Sequence, residues 1–152
     1  MAKRFTDTGI WDEDWFYELS LEYKLFFFYL KDSCDHAGIW KPKTRAFMSA
    51  TDVEISLEKA LEYLNTGKKR VRVLPNGKWF IEDFFAFQYG SRINLNNRVH
   101  QSVLQCYQDN DISIGSVRGI KQAMREGDPL IYSPDEFESN FDPNFDPNVE
   151  DN

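Results

Sequence analysis

Cysteine is scarce in this chain: Cys34 and Cys106 are the only two among 152 residues. They are too few and too far apart for a disulfide framework, so reduced, structural thiols are expected. No apolar run approaches the roughly 20 residues that cross a bilayer, and the N-terminal residues have no secretory-leader pattern. These features predict a soluble intracellular protein. There is also no phosphate-cradling glycine loop and no nucleophile elbow. Asp12, Glu13 and Asp14 read as a helix start, and Glu82 and Asp83 as a strand end, because no acid pair comes with a convincing lysine for metal-assisted hydrolysis. Cys34, His36, His100 and Cys106 could compose a zinc site on paper. Their spacings miss the tight two-residue loop of zinc knuckles, and neither a metal nor a cofactor is expected.

What the chain does have is rings and unevenly placed charge. Thirteen Phe, seven Tyr and four Trp can build a sizeable core. The net charge of −7 belongs wholly to residues 133–152, which hold seven acids and no base. Residues 1–37 have four bases and eight acids, whereas residues 38–81 have nine bases and four acids. A positive middle therefore lies between an acidic beginning and an acidic end, which points to a polyanion as partner for the middle.

Along the chain, acids before Trp15, Phe16 and Leu19 predict a short helix over about 13–19. Ser20 is a candidate cap for a core helix to about Cys34, apolar nearly all round. Gly38 permits an exit into a brief Ile39-Trp40 strand, and residues 43–50 read as a short basic helix. Either Thr51, with Glu54, or Ser56 can cap a helix carrying Leu57, Ala60, Leu61 and Leu64, which Gly67 ends. Asn76-Gly77 between Val71–Leu74 and Lys78–Glu82 predicts a hairpin, in a type I′ turn with both central residues at positive φ. The order helix, strand, helix, helix, strand, strand is that of a winged helix-turn-helix, an α+β fold. Trp15, Leu25, Phe28, Tyr29, Leu61, Val71, Val73 and Trp79 are its predicted core. Beyond the wing the pattern leaves residues 83–88 open between strand and helix. It predicts a helix from the Asn94–Asn97 region to about Gln108, and a weaker one from Ser116 to near Gly127. Ser133-Pro134-Asp135-Glu136 can start a brief helix, and the Asn-Phe-Asp-Pro near-repeat over 140–148 is too poor in apolar residues to fold alone. The expected domains are a winged helix over 1–110, a helical extension over 111–132 and an acidic, largely disordered tail over 133–152.

Five strings stand out together: Glu22-Tyr23-Lys24-Leu25-Phe26, Cys34-Asp35-His36-Ala37-Gly38-Ile39-Trp40, Trp79-Phe80-Ile81, Phe87-Gln88-Tyr89-Gly90 and Asn96-Asn97-Arg98-Val99-His100-Gln101-Ser102-Val103. They resemble the N-terminal winged-helix domains of phage and prophage replication proteins, often called replisome organisers. The resemblance spans roughly residues 1–108. It implies a non-enzymatic DNA-binding module of a replication initiator in the cytoplasm of a bacterial host, with duplex DNA and a replicative helicase or its loader as partners. A winged-helix adaptor or transcriptional regulator is the alternative reading.

Lys68, Lys69, Arg70, Arg72 and Lys78 cluster about the hairpin as candidate phosphate contacts, against the plainer reading of a charged edge that resists aggregation. Lys41, Lys43 and Arg45 are candidate backbone-positioning residues. The presumed recognition helix pairs Lys59 with Glu54, Glu58 and Glu62, which suits a phosphate-lined groove poorly and shifts the expected binding to the wing. Asn97 and Arg98 belong to a polar cluster at a helix start. That cluster can hold an anion or a base edge, or simply cap the helix.

Overall fold

The computed structural model describes residues 2–125 and 128–130, the backbone alone from 122 onward. The fold is α+β, and the chain gathers into two compact units, Met1–Glu82 and Asp83–Asn152.

In the first unit a 3-10 turn over Thr8–Asp12 leads into α1 (Asp14–Tyr17), α2 (Leu21–Ser33), β1 (Ile39–Trp40), α3 (Arg45–Thr51), α4 (Leu57–Leu64), β2 (Val71–Val73) and β3 (Trp79–Ile81). The strands form one antiparallel sheet in the order β1-β3-β2, with Trp40 opposite Trp79 and Val73 opposite Trp79 on the other side. The turn from α2 into β1 is built by Asp35, whose Oδ1 accepts the N–H groups of Ala37 and Ile39 at 2.9 Å each. α3 stops where Asp52 adopts a left-handed backbone, a conformation that Asp tolerates better than most residues.

Of the two candidate caps for α4, Ser56 is the one used, its hydroxyl accepting from the Lys59 N–H at 3.3 Å. Thr51 instead closes α3, donating its hydroxyl to the Phe47 carbonyl. The basic stretch turns helical only at Arg45, which leaves Lys43 in the preceding loop. The first helix is shorter than its pattern predicts, because the chain turns at Glu18 to begin α2.

Phe26 is the centre of the core. It packs edge-on against Trp40, Phe47 and Trp79, so α2, α3 and the sheet meet on one ring. Val71 and Trp79 are buried as predicted, whereas Trp15, Phe28, Tyr29 and Leu61 are only half-buried. Leu25 and Val73 are exposed, at 43% and 51%. α2 is not apolar all round in its packing: Phe26, Phe27 and Leu30 turn inward and Leu21 and Leu25 outward. Val73 shares the face of Val71, two residues on, and is nonetheless exposed while Leu74 beside it is buried.

The second unit contains α5 (Phe84–Tyr89), β4 (Arg92–Asn94), α6 (Arg98–Asp109), a 3-10 turn (Ile114–Ser116), β5 (Gln122–Arg125) and β6 (Asp128–Leu130). β4 runs parallel to β5, and β5 antiparallel to β6. The ambiguous residues 84–89 are therefore helix. The weak helix expected from Ser116 to Gly127 is replaced by the 3-10 turn and β5, so residues 111–125 are not a helical extension. Gly119 explains the change. Its φ of +87° breaks a helix, and a Cβ there would lie 2.5 Å from the Ala86 Cβ. A two-pronged ion pair from Arg118 to Asp83, at 2.7 and 2.9 Å, fixes the adjoining backbone. The suggested helix at Ser133 and the acidic tail lie outside the described residues.

Candidate nucleic-acid interface

The hairpin follows from the five residues 74–78. Pro75 presets φ at the first corner, and Asn76 Oδ1 accepts the Lys78 N–H at 3.0 Å. The Gly77 N–H donates to the Leu74 carbonyl at 2.9 Å, and the Leu74 N–H to the Lys78 carbonyl at 2.7 Å. Among the turn residues only Gly77 has positive φ, at +85°. The connection is thus a tight turn followed by a left-handed glycine, not the predicted type I′ turn. The turn is shifted by one residue, with Pro75 and Asn76 at its corners instead of Asn76 and Gly77, and the proline ring presets negative φ at the first of them.

A second device seats the hairpin on α4. Asn65 Oδ1 accepts the N–H groups of Arg70 and Val71 at 2.8 and 2.9 Å, while its Nδ2 donates to the Val71 carbonyl at 3.0 Å. The sequence offered one faint sign of this clamp, a polar amide just before Gly67.

The candidate cations separate into two kinds. Arg70 is committed inside the fold, its Nη1 donating to the carbonyls of Leu64, Thr66 and Lys68 while its guanidinium lies 3.8 Å over the Trp15 ring. It caps the C-terminal end of α4, where a cation also complements the helix dipole. Arg72 pairs with the nearly buried Glu82 at 3.2 Å and lies over Phe80. Lys41, Lys43, Arg45, Lys59, Lys68 and Lys69 are exposed, and Lys78 half-buried. The accessible positive charge of these candidates thus lies at the start of the hairpin, around the entry to α3 and at Lys59 on α4.

α4 faces solvent with Glu58, Lys59, Glu62 and the partly exposed Tyr63. In the second unit Asn97 spends its side-chain oxygen on capping α6 through the His100 N–H at 3.1 Å, and Arg98 is half-buried. His100 accepts the Asn94 N–H at Nδ1 and packs on Phe85 and Tyr89, and burial lowers its pKa. Burial also drives the Cys34 thiol up to about 11, which leaves it protonated and unreactive. No family model, curated protein or solved structure matches the chain. Among the described residues no helix is long and apolar enough to cross a membrane.

Proposed function

We propose that the first unit is a winged helix-turn-helix that binds duplex DNA through phosphate contacts, as the non-enzymatic DNA-binding module of a phage-type replication initiator. The observation that carries the fold part is the order α2-β1-α3-α4-β2-β3 with strands arranged β1-β3-β2, in which β2 and β3 are the wing arms. DNA as ligand is supported by Lys68 and Lys69 at the wing's base, and by Lys41, Lys43 and Arg45 about α3, all accessible. Lysine is a point charge on a flexible stem, suited to phosphate and poor at bidentate base reading. Glu58 and Glu62 on the outer face of α4 oppose deep entry into a major groove. The reading is therefore of weak sequence preference.

A helicase or its loader as protein partner, and a cytoplasmic bacterial location, rest on the resemblance to replisome organisers. Those same glutamates favour one competing reading, a winged adaptor that docks protein instead of DNA. Fluorescence anisotropy across a salt series separates the two. Phosphate binding gives a log-log slope of roughly −2 to −5, at about −0.9 per phosphate on duplex DNA. Absence of binding at low salt leaves the adaptor.

A further inference from the structure

We infer that the outward face of α2, together with Trp11, docks a basic amphipathic helix of a partner protein. α2 has a second apolar stripe of which only Phe28, packed 5.6 Å from Phe16, serves the core. Leu21, Leu25 and Phe28 recur at intervals of four and three residues and so share one side of the helix. Leu21 is 76% exposed and Leu25 43%. The Trp11 ring, 60% exposed, extends the stripe by packing 6.1 Å from Phe28.

Charge decides the occupant. Asp12, Asp14, Glu18, Glu22 and Asp32 are exposed on α2 and the segment leading into it. Of the four cations over residues 1–37, Lys3 is exposed, and Arg4, Lys24 and Lys31 are half-buried against the fold. The Lys24 ammonium reaches the carbonyls of Tyr17, at 3.0 Å, and Leu19. Lys31 lies over the Phe27 ring at 5.6 Å, and Arg4 donates to the carbonyls of Lys31 and Cys34. A second copy docking by a two-fold would oppose this acidic rim to itself. The segment 133–152, with seven acids and no base, meets the same repulsion, and so does DNA. A helix with leucine-like anchors at i, i+4 and i+7 and flanking lysines satisfies both the stripe and the rim.

The test titrates the full chain with a leucine-lysine amphipathic peptide of about sixteen residues, long enough to span the two turns of the stripe. The leucine-glutamate peptide of the same pattern is the control, and calorimetry with amide chemical shifts the readout. The expected result is saturable one-to-one binding of the lysine peptide alone, with shifts confined to residues 11–32. Leu21→Ser with Leu25→Ser weakens it by about tenfold or more, as the loss of two buried anchors requires. Asp12→Asn with Asp32→Asn, both exposed, weakens it as well and leaves the melting temperature unchanged, so a folding defect in the leucine variant leaves a second measure. Equal binding by the leucine variant would overturn the inference, because the peptide would then sit on the acidic residues 133–152. So would a wild-type dimer that the leucine variant converts to monomer, which would make a second copy the occupant.

Discussion

Arg70 and Lys69 are adjacent and alike in charge, yet their surroundings give them separate tasks. Arg70→Ala removes a cation from three carbonyls and from the Trp15 face, and we expect a loss of about 1–2 kcal/mol in denaturant unfolding after allowing for partial exposure. Lys69→Gln should leave stability within about 0.5 kcal/mol and lower the DNA salt slope by about 0.9. An Arg70→Ala chain as stable as the wild type would remove the capping role. His100 gives a second residue-level prediction. Its folded pKa lies below the ordinary 6.5, so the unfolded chain binds the proton more readily. Stability from neutral His100 is therefore complete above about pH 6.5 and declines as pH falls toward the depressed folded value. Protonation also costs Nδ1 its acceptor role toward the Asn94 N–H. The imidazole resonances should titrate below pH 6.5, with Asn94 amide exchange rising alongside. A titration above 6.5 would contradict the burial.

Two turn glycines differ in what surrounds them, which makes the elements they serve unequally sensitive. At Gly77 nothing lies within 4 Å of an added Cβ, so Gly77→Ala costs the left-handed backbone alone, about 1–2 kcal/mol. At Gly119 the same substitution adds a collision with the Ala86 Cβ at 2.5 Å. Gly119→Ala should thus be the more destabilising. Adding Ala86→Gly should recover the steric part, less the penalty of glycine inside α5 of about 1 kcal/mol. The check is a double-mutant cycle followed by unfolding, and simple additivity would mean the backbone term dominates at both sites.

Charge at the scale of the molecule is partitioned along the chain, positive over 38–81 and acidic at 133–152. If the proposed DNA binding holds, we hypothesise that this linked polyanion competes with DNA phosphates at high effective concentration, with Phe137, Phe141 and Phe145 adding apolar grip. Cutting the chain after Tyr132 should accordingly tighten DNA binding, most at low salt, and leave the melting temperature nearly unchanged. Equal affinities of the full and cut chains at low salt would exclude this screening.

The α+β class, β1, α4 and the hairpin position were legible in the sequence because each rests on local chemistry. Gly38 follows a helical run, Leu57 to Leu64 repeat at helical spacing, and Pro75-Asn76-Gly77 interrupts two β-rich runs. Burial was less legible where two faces of one element compete. Leu25 and Phe26 are equally apolar neighbours on α2, and only the positions of Trp40, Phe47 and Trp79 make Phe26 the inner one. The candidate site divides in the same way. Five bases near the hairpin can be counted from the chain, but which of them face water depends on groups distant in sequence. Trp15 lies beneath Arg70, and Glu82 beside Arg72. Gly119 is a helix breaker in any context, yet that its neighbour is Ala86 and its successor a strand beside β4 comes from contacts more than 25 residues apart. Local propensity acts through the backbone of a few residues, whereas packing and ion pairing depend on distances that only the folded chain sets.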